Sequence, residues 1–236
     1  GKLAKGQIID SINGRKLADI DPRIQFGQLL AQAEATDGLL KFTIRGVAAP
    51  VTVQVPVLGA YSKTWPLNCP KSDKIVRQVA DYLSQPDAQK GLAGIGVLFL
   101  LSTGEAKDLA VAREWARNVK PHRYPWYIGY GGIPLAEAYL RTGDPVILAN
   151  IQAGVDNAVA TQYLGGWLGR GGVTPSYGNG HLNAAGTHVL TFLLLAKECG
   201  AKVPDQTLDD ALVHFYRYAG RGGNPYGDNR PEYGFV

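Results

Sequence analysis

One pattern constrains this chain more than any other. An apolar helix stops at a glycine and a more polar helix follows, three times over. The stops are Leu101-Ser102-Thr103-Gly104, Leu140-Arg141-Thr142-Gly143 and Lys197-Glu198-Cys199-Gly200. Glycine belongs at such ends because the residue that leaves a helix commonly takes a left-handed conformation. The second helices are expected over roughly 105–119, 144–164 and 204–219, each running into a loop rich in glycine and aromatics. Two of those loops match in detail: Gly169-Arg170-Gly171-Gly172 with Pro175 and Tyr177-Gly178, and Gly220-Arg221-Gly222-Gly223 with Pro225 and Tyr226-Gly227. The loop from Pro121 to Gly132 is a looser copy. A hairpin with one helix apolar nearly all round cannot bury itself. Copies must stack, apolar helices in one layer and amphipathic helices in another.

The hairpins are preceded by a small mixed module. Residues 7–12 read as a strand, followed by Asn13-Gly14, a dipeptide that favours a tight turn because both residues tolerate positive φ. Asp21-Pro22 starts a helix, with Ile24, Phe26, Leu29, Leu30 and Ala33 as its apolar stripe, and Asp37-Gly38 ends it. Two alternating strands, Leu39–Arg45 and Val51–Val57, come next. The aperiodic stretch 59–73, with Pro66 and Pro70, reads as a packed linker. From Lys71 onward strand signals vanish, and a helix starts at Ser72-Asp73, followed by an almost wholly apolar one over 90–102. The expected organisation is therefore a module at 1–58, a linker at 59–73 and helical hairpins at 74–236, an α+β piece followed by an all-α repeat.

Lys5-Gly6-Gln7-Ile8-Ile9, Ser11-Ile12-Asn13-Gly14, the helix after Asp21 and the Leu40–Arg45 strand together resemble the latter part of a bacterial PDZ domain. The resemblance implies a groove for a peptide C-terminus with Arg23, Phe26 and Leu30 on its helix side, and a carboxylate-binding loop upstream of Gly1. The layered hairpins resemble an α/α toroid, the architecture of squalene cyclases, protein prenyltransferase β subunits and many polysaccharide-acting enzymes. Gln162-Tyr163-Leu164-Gly165-Gly166-Trp167 and the glycine-rich run after it are similar to the Gln…Gly…Trp repeat of squalene cyclases. A PDZ-like front joined to a toroid resembles a family of uncharacterised bacterial envelope proteins, which implies a periplasmic or secreted setting. A toroid closes with about six hairpins, so further hairpins or a partner chain are expected to complete this one, and the chain reads as a processed or excised piece.

Composition excludes several classes. A net charge of +4, from 24 Lys+Arg against 20 Asp+Glu, forces no basic face for nucleic acid. Cys69 and Cys199 make neither a disulfide framework nor a metal cluster; Cys69 reads as inert, and Cys199 stands at a helix end away from any zinc set. The longest apolar runs, such as Val189–Ala196, are too short for a membrane span. No phosphate loop, dinucleotide fingerprint, Ser-His-Asp signature or prenyltransferase zinc set is recognisable, and Asp209-Asp210 lacks the context of the cyclase acid motif. No cofactor or metal is expected.

The site candidates are the residues of the loops that enter the apolar helices. Trp126, Tyr130, Trp167, Tyr177, Asn179, Asn183 and Tyr226 combine flat rings with amide groups, a mixture suited to sugars. His181 at a helix start is the candidate general acid or base, with Asp228 and Glu232 as the carboxylates of the final loop. His188, seven residues on, reads as a hydrogen-bonded core histidine, and His122 and His214 show no partner spacing. Two functions follow: an extracytoplasmic protein that binds or processes polysaccharide at the rim, or a non-catalytic scaffold that uses the PDZ-like module and hairpins for protein contacts. The ligand is then a polysaccharide or a peptide.

Overall fold

The computed structural model of the chain describes residues 2–18, 20–168, 180–223 and 225–227. The chain divides into two compact units, residues 1–79 and 80–236. In the first, strands β1 (Ile9–Ile12) and β2 (Arg15–Lys16), helix α1 (Pro22–Ala35), and strands β3 (Leu39–Ile44) and β4 (Val51–Gln54) build an antiparallel sheet of order β2-β1-β3-β4. Asn13 and Gly14 both take positive φ, 49° and 76°, so the β1–β2 turn has the mirror-image form that suits strand twist. Asp21 caps α1 by accepting from the Arg23 N–H at 3.0 Å. Leu29 and Ala33 of α1 are buried with Ile12, Leu40, Phe42 and Ile44 of the sheet.

The first unit extends beyond the expected linker. Helix α2 (Pro70–Leu83) begins with a buried Lys71 whose ammonium meets Glu34 at 2.6 Å and lies 4.2 Å over the Tyr61 ring. Lys74 also donates to the Leu58 carbonyl at 3.3 Å. A buried charge has to be paired, so the first turns of α2 go with α1 and the sheet, and the division falls between residues 79 and 80.

After the short α3 (Pro86–Gln89), the second unit is built from three hairpins. Helices α4 (Gly94–Thr103), α6 (Pro125–Thr142) and α8 (Asn183–Glu198) pack side by side, with α6 in the middle. Behind them stand α5 (Ala106–Asn118), α7 (Pro145–Thr161) and α9 (Asp205–Tyr216): α5 rests on α4, α6 and α7, α7 on α6 and α8, and α9 on α8. The binary pattern requires this layering. All three glycine stops adopt the left-handed conformation, with φ of 70° at Gly104, 63° at Gly143 and 85° at Gly200.

Helices α6 and α8 approach closely because α6 turns glycines toward its neighbour. A Cβ at Gly129 would overlap His188, and one at Gly132 would overlap the Phe192 ring. From the other side, a Cβ at Gly154 of α7 would lie 2.9 Å from Phe192 Cζ. Phe192 is fully buried in the resulting slot. Helix α7 fastens its neighbours through side-chain amides. Asn150 donates to the Ala116 and Arg117 carbonyls at 2.9 and 3.1 Å, closing the end of α5, and Gln152 exchanges two hydrogen bonds with the Lys202 backbone.

Two details depart from expectation. Strand pairing returns after α7, where β5 (Gln162–Tyr163) and β6 (Gly166–Trp167) form a hairpin through Leu164 and Gly165, both at positive φ. Strands of two residues are too short to show alternation in sequence. His181 lies just outside α8, bridged to Leu168, because the helix begins at Asn183.

Adjacent glycines on α6 are expected to respond in opposite ways. A Cβ at Gly131 meets nothing within 4 Å. Gly131→Ala should stabilise the domain by about 0.5–1 kcal/mol through helix propensity, while Gly132→Ala should destabilise it by about 1–3 kcal/mol through overpacking on Phe192. Denaturant unfolding of the two variants checks the sign of each.

Candidate functional site

The N-terminal ends of α4 and α6, the end of α5 and the loop at 119–122 enclose a cavity of about 530 Å³ within the helical unit. Its floor is buried and apolar: Leu92, Ile128, Leu135 and Phe192, with Gly132 and Gly154 giving depth where larger residues would fill the space. The exposed lining residues are Ala93, Ile95, Lys120, His122, Tyr127 and Tyr130. His122 Nδ1 accepts from the Tyr124 N–H at 2.9 Å, which leaves the Nε2 position as its donor in the neutral ring. The ring meets Tyr127 edge-on, with centroids 4.9 Å apart. Trp126 and Tyr130, one helical turn apart on α6, stack with planes 6° apart, and the Tyr130 ring leans on His188 at 4.6 Å. His188 in turn donates from Nδ1 to the Ala184 carbonyl at 2.7 Å.

A second cluster lies at the start of α8. Arg217 donates to His214 Nδ1 at 2.7 Å, and a guanidinium can only donate. His214 therefore carries its proton on Nε2 and gives it to Asn183 Oδ1 at 2.8 Å, while Asn183 Nδ2 donates to the Tyr218 hydroxyl at 3.0 Å. His181 donates from Nε2 to the Tyr163 carbonyl and meets His214 edge-on, with centroids 4.4 Å apart. Burial, reinforced by His181 and Arg217, pushes the His214 ring down to about 3. The tight β5–β6 turn explains Gly165-Gly166: a Cβ at Gly165 would strike the Asp210 carbonyl, and one at Gly166 would lie 2.7 Å from the His181 ring and 2.9 Å from His214.

The two clusters divide the candidate residues named from sequence. Trp126 and Tyr130 come together beside the cavity, with Tyr130 part of its lining. Trp167 is fully buried and its Nε1 donates to the Ala158 carbonyl at 2.9 Å, so its faces are spent on the core rather than offered to a ligand. His181 and Asn183 are each 2% exposed and held in the polar network. Tyr226 is exposed, and its carbonyl accepts from the Ala184 N–H at the start of α8. Tyr177, Asn179, Asp228 and Glu232 lie outside the described residues.

In the first unit, Arg23 is engaged by Asp21 through two side-chain hydrogen bonds, Phe26 is exposed on α1, and Leu30 packs against the sheet core. No spacing in the sequence singles out Lys120, His122 or His214. The one available signal was their position in, or just before, glycine-flanked loops.

Residues 72–236 match the family model described as a domain of unknown function, DUF6288. The chain belongs to that family. Neither the curated proteins nor the solved structures provide a match to it.

Among the described residues of the DUF6288 domain and the sheet unit, no three His, Cys, Asp or Glu side chains are grouped to hold a metal ion. No described helix is long and apolar enough to cross a membrane. The cysteines differ in character. Hydrogen bonds from Ser72 and the Ser62 N–H hold the Cys69 thiol down to about 6, but the residue is fully buried. Burial pushes Cys199 up to about 11.

The neutral His214 makes the domain acid-sensitive. Its folded-state value lies below the ordinary 6.5 of the unfolded chain, so its contribution is intact above that value and is lost as pH falls toward 3. His214→Gln should be less stable at pH 7 and should lose up to one proton's worth of slope between pH 6.5 and 4, measured by urea unfolding across that range.

Proposed function

We propose that the DUF6288 domain is a non-catalytic binding module whose ligand enters the cavity between the first two hairpins. The observation that carries this reading is the cavity itself. It is large enough for a small organic molecule, has an apolar floor, and has a tyrosine- and histidine-bearing mouth. The residues with the strongest appearance of chemistry, His181 and Asn183, are committed to a buried network, which speaks for binding over turnover. A polysaccharide would bind at the exposed rings of Tyr127, Tyr130 and Tyr226. Its hydroxyls would lose water without gaining partners on the apolar floor, at about 1–3 kcal/mol each. An apolar ligand meets no such cost.

In this reading the sheet unit is PDZ-like, on the strength of its order β2-β1-β3-β4 with α1 between β2 and β3. The hairpins are an arc of an α/α toroid, on the strength of their inner layer α4, α6, α8 and outer layer α5, α7, α9. The extracytoplasmic location is part of the same proposal. A second reading, a protein-binding scaffold, draws on Ile8, Ile24 and Phe26, apolar side chains left exposed on the sheet unit.

The cavity reading is tested with Nile red, a neutral apolar fluorophore. One equivalent should bind with enhanced emission, and Gly131→Leu should remove the signal while leaving the melting temperature unchanged or higher, because that position faces open space beside the cavity. Equal Nile red binding by the wild type and Gly131→Leu would count against the cavity as the site.

A further inference from the structure

We infer that the cavity takes a single-chain carboxylate amphiphile, its alkyl chain on the apolar floor and its carboxylate at Lys120 and His122. The inference rests on the binding-module reading and names the ligand class for the same site. Three observations carry it. The lining is almost entirely apolar, from Leu92 and Ile95 through Trp115, Ile128 and Leu135 to Phe192. The only charged side chain in that lining is Lys120, and no carboxylate lines the cavity among the described residues. The mouth segment Lys120-Pro121-His122-Arg123 is basic, and none of the described residues forms an ion pair with Lys120.

The chemistry of the mouth favours an anion over a neutral or cationic head. A desolvated cationic head would find no carboxylate in that lining, and a neutral head would leave the Lys120 charge without a counter-ion. A carboxylate finds the Lys120 ammonium and the His122 Nε2 donor, since His122 Nδ1 already accepts from the Tyr124 backbone. The nearest acidic residue along α5, Glu114, is engaged by Asn118 at 2.6 Å. The Tyr127 and Tyr130 hydroxyls suit the same boundary, with an apolar ring toward the chain and a polar tip toward water. An apolar pocket with one cationic edge thus selects by two independent properties, chain length and head charge.

The test uses the full chain and three probes of equal chain length: sodium dodecanoate and dodecylammonium chloride, each below its critical micelle concentration, and 1-dodecanol below its solubility limit. Binding is read by calorimetry and by the fluorescence of Trp115, which lines the cavity. Dodecanoate should bind about three- to tenfold more tightly than dodecanol at low salt, with dodecylammonium weakest. Affinity within the carboxylate series should rise about fourfold per added methylene until the cavity is full. Lys120→Gln should erase the preference for dodecanoate over dodecanol without changing dodecanol binding, and added salt should do the same in part.

Equal affinity for the three head groups, unaltered by Lys120→Gln, would overturn the carboxylate assignment and leave the apolar cavity standing. Absence of binding by all three, together with Nile red binding unaffected by Gly131→Leu, would overturn both. Binding to phosphatidylglycerol vesicles with none to monomeric dodecanoate would also overturn it, because it would identify a membrane surface rather than a single chain as the anionic partner.

Discussion

The packing of the helical unit depends on how closely α6 and α8 can approach. Two apolar helices with large side chains on both faces would stand apart by the thickness of those side chains. Here Gly129 and Gly132 bring the α6 backbone against His188 and Phe192. Phe192 then fills a slot whose far wall is Gly154 of α7, so one ring joins an inner helix to its inner neighbour and to an outer helix. The same economy of side chains leaves space next to that ring. The cavity is a consequence of the close approach, since a position that accepts a neighbour's ring has little of its own to fill the adjoining volume.

Around that core, polar side chains do structural work. Asn150 and Gln152 on α7 satisfy backbone groups at the end of α5 and in the loop after α8, where helix ends and turns have no partners of their own. At the start of α8, Arg217, His214, Asn183 and Tyr218 form a directed chain of donors and acceptors in which each role is dictated by the guanidinium. A protonated His214 would set a second cation against Arg217 in a region shielded from water, so the ring stays neutral. His214 thereby joins α9 to the start of α8.

Local features were legible in the sequence. The left-handed glycines at 104, 143 and 200, the Asn13-Gly14 turn and the Asp21 cap all take the conformations their residue types favour, because each is settled within a few residues of chain. Burial was legible only as a period. The pattern placed α4, α6 and α8 in one layer, but it could not tell Trp167, in the core, from Trp126, beside the cavity. Both follow a glycine-rich or proline-containing loop, and the difference lies in the two-residue β5–β6 hairpin that turns Trp167 inward. Nor does the pattern show that His181 and Asn183 are buried.

By itself, then, the sequence determined the repeating apolar-then-amphipathic hairpin, its glycine stops and the mixed αβ module ahead of it, since these follow from periodicity and backbone preference along a continuous stretch of chain. The tertiary structure alone decided which aromatics line the cavity, that His214 is neutral, and that Lys120 and His122 stand at the mouth of an apolar cavity. Those properties are set by distances between residues far apart in the chain, and the closest of them are governed by glycines, whose part in the packing is the side chain they lack.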